Sequence, residues 1–176
     1  ANLEGHKGDK VTIDLIGAFL PEVVVEGLYA VTDKTGLKVK SMTLEPIAAM
    51  NVIIPPEIRL INIALVDIGA GTSDIAVARD GAIVAYAMAT VAGDEISEDI
   101  VRKFFVDFNM AENMKIQASG DTDSITYRDI FGREQTMTKA DFFEKCSPSV
   151  DSLADVISQT VCDANGQSPA AMFLIG

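Results

Sequence analysis

A turn of small residues between two β-rich segments constrains the fold of this chain most strongly. The turn, residues 67–72, lies between the apolar segments 59–66 and 73–78, and the motif continues to Asp74. The pair Asp80-Gly81 follows, and such a pair is typical of a two-residue β-hairpin. A third β-rich segment covers 82–89. The three segments are therefore predicted to form an antiparallel meander.

The residue types in the turn predict anion binding. Gly69 and Gly71 lack a Cβ atom, so backbone N–H groups there can approach a phosphate closely. Thr72 or Ser73 can add a hydroxyl donor, and Asp67, at the end of a strand, suits Mg²⁺ held through water. An ordinary glycine-rich hairpin with acidic flanks is the alternative interpretation of this segment.

Two other phosphate-binding motifs do not fit the spacing. The dinucleotide fingerprint needs a glycine where Asp74 stands, and it needs a helix after the turn. The P-loop needs Gly-Lys-Ser/Thr, a triplet that the sequence does not contain. A strand-turn-strand phosphate site remains.

Charge and cysteine content exclude several other classes. The 176 residues carry a formal net charge of -12, which argues against nucleic acid or an anionic membrane as the main partner. The sequence has 2 cysteines and no CxxC pair, so a disulfide scaffold and a zinc site are not expected. Apolar runs fall short of the roughly 20 residues that span a bilayer.

The remaining chain alternates predicted helices and strands. Before the turn we predict strands at 11–19 and 37–44 and helices at 21–36 and 45–50. After the meander we predict a helix from Gly93, a helix at 111–118, a hairpin at 124–138, a long helix beginning at Ser147-Pro148, and a strand at 171–175.

The turn resembles the second phosphate motif of the actin-like ATPase superfamily, which includes actin, DnaK-type chaperones, sugar kinases, FtsA and PilM. Segment 43–49 resembles the family's connecting helix, and segment 92–95 resembles its glycine turn into a helix. Segment 111–115 resembles the helix that lines its adenosine pocket, and segment 172–176 resembles the strand that enters its adenosine motif. The resemblance implies an α/β fold: a ribonuclease-H-like actin-type lobe whose mixed sheet contains an antiparallel meander flanked by helices.

Within this superfamily, segment 64–82 and the short insert 124–138 resemble FtsA-like cell-division ATPases. The resemblance implies that residues 1–57 end a first lobe with its connecting helix. Residues 58–176 would form most of a second lobe, with a small hairpin insert at about 119–138. It also implies a cytoplasmic protein that binds ATP and Mg²⁺, self-associates into protofilaments and partners the tubulin-like division protein FtsZ. Membrane contact would come only through regions absent here.

The resemblance also assigns roles to individual residues. Glu45 and Asp67 are the predicted catalytic residues, and Asp67 is also the predicted Mg²⁺ ligand, through water. The predicted nucleotide-binding residues are Gly69, Ala70, Gly71, Thr72, Ser73, Gly93, Glu112, Lys115 and Gly176. Alternatives stay open: Glu45 as a favourable helix-start carboxylate, and Glu112 with Lys115 as a surface ion pair.

Three features depart from the family pattern. Ala70 replaces the middle glycine of the phosphate motif, the family's early Asp/Asn-Gly-Thr/Ser hairpin is absent, and the sequence stops at Gly176, before the other adenosine glycines. We therefore expect a piece of a longer protein, with weak or no nucleotide binding and no measurable ATPase activity by itself. A non-catalytic scaffold, a DnaK-type chaperone, a PilM-like ATPase and a small-molecule kinase remain alternatives.

Overall fold

The structure is a computed structural model that describes residues 5–13, 15–17 and 19–176. It divides into two compact units, Ala1–Met42 and Thr43–Gly176. Within the described residues the α-helices are α1 Glu22–Lys34, α2 Glu45–Ile53, α3 Gly93–Phe104, α4 Phe108–Ser119 and α5 Lys139–Asn165, and a 3₁₀ helix covers Ile58–Leu60. The strands there are β1 Ile63–Ile68, β2 Ser73–Arg79, β3 Ala82–Ala89, β4 Ser124–Arg128, β5 Glu134–Thr138 and β6 Ala171–Ile175.

The first unit contains helix α1. The helix begins after Pro21, whose fixed φ suits a helix start, and Gly36 follows its end at a φ of +73°. None of its 13 residues, all of which the structure describes, is buried.

The strands predicted at 11–19 and 37–44 are wrong. Neither segment is extended into a strand at any residue that the structure describes; Asp14 and Ala18 lie outside the described residues. Most of the apolar side chains there are exposed, including Leu15 at 85% and Phe19 at 93%. An isolated strand has no ladder partner for its N–H and C=O groups, so β-propensity alone does not form one.

The second unit is built on a four-stranded sheet with the order β3-β2-β1-β6. Strands β1, β2 and β3 pair antiparallel, and β6 runs parallel to β1, so the predicted meander in a mixed sheet is confirmed. The turn between β2 and β3 has positive φ at both Asp80 and Gly81, as a two-residue hairpin requires. The carboxyl ends of β1 and β6 consequently lie at the same edge of the sheet.

Helices cover both faces of this sheet. On one face Met50 of α2 and Ile54, which follows the helix, pack against Ile63 and Leu65. On the other face the second half of α5 packs against the alternate residues of β1 and β2. Side chains that alternate along a strand point to opposite faces, which explains why both faces are apolar.

A third core lies between α3, α4, the β4–β5 hairpin and the first half of α5. The predicted hairpin is present, but the predicted start of the long helix at Ser147-Pro148 is wrong. The helix begins at Lys139, where the Thr138 hydroxyl accepts a hydrogen bond from the Asp141 amide at 3.1 Å, and Pro148 lies inside it. Across the described residues no helix is both long and apolar enough to pass through a bilayer.

Candidate functional site

The turn after β1 presents main-chain amides to solvent. It is closed by a hydrogen bond from the Gly69 amide to the Thr72 carbonyl at 2.9 Å, and its residues from Gly69 to Thr72 are exposed. The amides of Ala70, Gly71 and Thr72 donate to no acceptor within the described residues. Ala70 does not have a positive φ, so its methyl group adds no left-handed strain to the turn. Three backbone donors are therefore available to an anion.

Helix α3 fixes the direction in which these amides point. The amides of Gly93 and Asp94 donate to the carbonyls of Gly69 and Ala70, at 3.1 and 2.8 Å. In a trans peptide group the N–H points opposite to the C=O. Since the two carbonyls face α3, the amides of Ala70 and Gly71 face away from it, toward open solvent.

Ser73 anchors the other side of the turn. Its side chain is fully buried, and its hydroxyl donates to the Val91 carbonyl at 2.7 Å. Of the two hydroxyls proposed as extra phosphate donors, that of Ser73 is thus used inside the protein, whereas Thr72 is exposed. The sequence could not show this contact, because it joins residues 18 positions apart.

Two carboxylates face each other across the strands that flank the turn. Asp67 on β1 is directly opposite Asp74 on β2, and residues paired in this way lie on the same face of a sheet. Both are half-buried. Adjacent like charges repel each other and favour a cation between or beside them. The described residues contain no group of three or more metal-ligating side chains, so the pair needs further ligands from water or a bound anion.

Glu45 lies at the start of α2, at the same end of the sheet. Its neighbours Leu44 and Pro46 line an open groove of about 360 Å³ together with Asp74 and Met88. Glu45 itself is exposed and forms no ion pair within the described residues. The structure therefore brings this carboxylate to the edge and face that carry Asp67 and Asp74.

Glu112 and Lys115 on α4 form an ion pair of 2.8 Å that is tied to α3. The Lys115 ammonium also donates to the Gly93 carbonyl at 3.0 Å and to the Ser97 hydroxyl at 2.8 Å. Hydrogen bonds from Lys115 and then from Ser97 hold the pKa of Glu112 below its usual value. The pair is thus more than a surface contact, and the buried Ser97 is a member of the site that no sequence motif indicated.

Two predicted glycines are required by close contacts. A Cβ on Gly93 would lie 3.3 Å from both the Gly69 carbonyl oxygen and the Lys115 nitrogen. Gly176 follows β6 with a φ of +130°, and a Cβ there would overlap the Ile68 backbone. Gly93 and Gly176 therefore both lie against β1 or the turn that follows it.

Comparisons with known proteins identify the family. The family model for "Cell division protein FtsA" matches residues 64–166, more than half of the chain. FtsA of Pseudomonas aeruginosa is 34% identical over 48% of this chain, and FtsA of Bacillus subtilis is 22% identical over 78% of it. The chain spans 20% and 33% of the lengths of these two relatives.

Solved structures agree on the fold. MreB5 of Spiroplasma citri bound to ADP superposes with a TM-score of 0.58 at 22% identity, over 81% of this chain and 48% of that one. The PilM-PilN type IV pilus biogenesis complex superposes with a TM-score of 0.66 at 18% identity, over 88% of this chain and 41% of that one. The predicted actin-like ATPase fold is confirmed. Together with the family match over the sheet, α3, α4 and most of α5, these similarities lead to one conclusion: the chain belongs to the FtsA family of cell division proteins.

Proposed function

We propose that this chain is the part of an FtsA-type cell division protein that binds the phosphates of ATP. The observation that carries the proposal is the set of exposed amides at Ala70, Gly71 and Thr72; hydrogen bonds to α3 fix the outward direction of the first two. Preorganised main-chain donors of this kind suit the oxygens of a triphosphate. The structural neighbour MreB5 was solved with ADP and with AMPPNP, which supports a nucleotide as the ligand.

The carboxylates beside the turn complete the proposed site. Asp67 would hold Mg²⁺ through water, with Asp74 as its neighbour across the strands. When bound, the metal supplies positive charge that neutralises the phosphate oxygens. Glu45, exposed at the same edge, would orient or deprotonate water near the γ-phosphate. Gly93 and Gly176 keep the surrounding backbone close to the turn.

A site that contacts the phosphates from one side only would bind ATP weakly. Phosphoryl transfer is catalysed by positioning from both sides of the phosphates, and the sequence holds no second phosphate hairpin. We therefore propose that residues 1–57 belong to a first lobe and residues 58–176 to a second. The 176-residue chain by itself would bind ATP weakly and hydrolyse none measurably.

At the level of the cell, we propose nucleotide-dependent self-association into protofilaments and interaction with FtsZ. Both proposals rest on membership of the FtsA family. A cytoplasmic location at the inner face of the membrane accompanies them. A PilM-like role is the second candidate, but that similarity is one of fold alone.

Backbone NMR of the chain titrated with AMPPNP and MgCl₂ tests phosphate binding, because it detects weak binding residue by residue. Gly71→Pro removes the central amide, whereas Gly71→Ala keeps it and places a Cβ 4.0 Å from Asp94. We expect shifts centred on Gly69–Ser73 and an affinity about tenfold lower in Gly71→Pro than in Gly71→Ala. Equal affinities, or shifts centred elsewhere, would contradict the proposal.

A further inference from the structure

The hydroxyl of Ser97 joins the two charged groups of α4 that meet α3. Ser97 lies one turn into α3, and its side chain is fully buried. The Lys115 ammonium donates to this hydroxyl at 2.8 Å, and the hydroxyl donates to the Glu112 carboxylate, which is charged and closer than the Gly93 carbonyl at 3.2 Å. Since Lys115 and Glu112 also form an ion pair of 2.8 Å, the three side chains make a closed triangle of hydrogen bonds.

The triangle occupies one oxygen of Glu112 and leaves the other available. Ser97 and Lys115 both donate to Oε1. No residue that the structure describes donates to Oε2, and the Glu112 side chain is 40% exposed. Because an ionised carboxylate has about four lone-pair sites, Oε2 can accept hydrogen bonds from a ligand. A carboxylate anchored through one oxygen therefore presents the second one in a fixed direction.

This triangle lies against the start of α3, next to the phosphate turn. The Gly93 carbonyl accepts a hydrogen bond from the Lys115 ammonium at 3.0 Å, and the Gly93 amide donates to the Gly69 carbonyl of the turn at 3.1 Å. In a nucleotide the ribose is bonded directly to the α-phosphate, so a nucleotide whose phosphates occupy the turn has its ribose nearby. The ribose carries two hydroxyl donors, which form strong hydrogen bonds with a carboxylate.

We propose that Ser97 is a positioning residue for the nucleoside: its hydroxyl fixes Glu112 and Lys115 so that Oε2 of Glu112 accepts a hydrogen bond from the ribose. Ser97 acts through these two groups and not on the phosphates. The proposal rests on the proposed function, since it concerns a nucleotide bound at the phosphate turn. A serine that only joined α3 to α4 would instead affect every ligand alike.

Ser97→Ala removes the hydroxyl and leaves both charged groups in place. Ser149→Ala is the matched control, because the part-buried Ser149 hydroxyl donates to the Cys146 carbonyl at 2.7 Å, within α5. The wild-type chain and each variant are titrated by NMR with ATP and with inorganic tripolyphosphate, both with MgCl₂. Tripolyphosphate has no ribose and no base, so it reports on the phosphate site alone.

We expect Ser97→Ala to weaken ATP binding about fivefold and tripolyphosphate binding by less than about twofold. Ser149→Ala should change neither affinity by more than about twofold. In the wild-type chain, ATP should shift the amide signals of Glu112 and Lys115 more than tripolyphosphate does. An equal loss of both affinities in Ser97→Ala, or an unchanged ATP affinity, would overturn the proposal.

The wild-type titrations separate failure of this proposal from failure of the proposed function. If ATP shifts the signals of the phosphate turn and leaves those of Glu112 and Lys115 unmoved, phosphate binding stands and the nucleoside contact is overturned. If the wild-type chain binds neither ligand, the proposed function itself fails and this proposal falls with it.

The pKa of Glu112 in the ligand-free protein provides a second measurement. Hydrogen bonds from Lys115 and then from Ser97 lower this pKa, so it should rise in Ser97→Ala and stay low in Ser149→Ala. Ser97→Thr keeps a hydroxyl at this position and should restore both the low pKa and the ATP affinity. The side-chain carboxyl carbon signal of Glu112, followed as a function of pH, reports the pKa. An unchanged pKa in Ser97→Ala would show that the hydroxyl does not hold the carboxylate, which would overturn the proposal.

Discussion

Asp74→Asn should stabilise the fold in the absence of a cation. Asp67 and Asp74 are paired across β1 and β2 on one face of the sheet, near an edge open to solvent. Two unit charges about 5 Å apart repel each other by about 0.8 kcal/mol in water. Cross-strand side-chain pairs change the stability of a sheet by roughly 0.2–1 kcal/mol relative to an Ala–Ala pair. We therefore expect Asp74→Asn to raise the free energy of unfolding by about 0.5 kcal/mol.

Urea unfolding of the 176-residue chain measures this difference from the transition midpoints. Asp80→Asn is the matched control: it makes the same change of charge on the β2–β3 turn, and asparagine tolerates the positive φ of 53° found there. If the carboxylates form a cation site, the advantage of Asp74→Asn should disappear in MgCl₂ and persist in NaCl of equal ionic strength. A clear loss of stability in Asp74→Asn without cation would contradict a net repulsion between the two carboxylates and would show that Asp74 fixes the turn.

Three further predictions follow from the contacts around the turn. Ser73→Ala should cost about 1–2 kcal/mol of unfolding free energy in urea, because the Val91 carbonyl loses the buried Ser73 hydroxyl as its donor; an unchanged midpoint would contradict the anchoring role. Gly93→Ala should weaken tripolyphosphate binding in an NMR titration, because its Cβ displaces the Gly69 carbonyl or the Lys115 ammonium; unchanged affinity would contradict this. Hydrogen bonds from Lys115 and Ser97 lower the pKa of Glu112, so its stabilisation is present at neutral pH and is lost as pH falls below about 4. Glu112→Gln should therefore reduce the loss of thermal stability that occurs as the pH is lowered. The unfolding temperature is measured as a function of pH, and the same dependence in both proteins would contradict the prediction.

The parts of the fold that sequence could predict are those set by local rules. The Asp80-Gly81 turn, the alternation of β3 and the boundaries of 82–89 and 171–175 follow from turn chemistry and residue pattern, and the structure has both strands at those bounds. The strands predicted at 11–19 and 37–44 failed because a strand exists only with a partner, which a local pattern cannot supply.

The start of α5 was missed for a related reason. Proline is favourable in a first turn, so Pro148 suggested a helix start, yet the helix extends nine residues further toward Lys139. Residues on both sides of Pro148 are held by tertiary packing: Phe142 and Cys146 in one core, Leu153 and Ile157 in another. Packing on both sides outweighs the local cost of an internal proline.

The candidate site also has a part that could be predicted from the sequence and a part that could not. The phosphate turn could be predicted because its small residues are contiguous in the sequence. The contacts that orient it could not, since they join Ser73 to Val91 and Lys115 to Gly93 across 18 and 22 positions. Spacing placed Glu112 and Lys115 on one face of α4, but only the structure shows that this face meets the start of α3.

The position of the bound phosphates shows directly whether the turn after β1 binds them. A crystal structure of this chain with AMPPNP and MgCl₂ at saturating concentration would show it. We predict phosphate oxygens about 3 Å from the amide nitrogens of Ala70, Gly71 or Thr72, with the metal on the side of Asp67. Phosphates bound away from this turn, or a turn whose amides still face only solvent while nucleotide occupies another site, would contradict it.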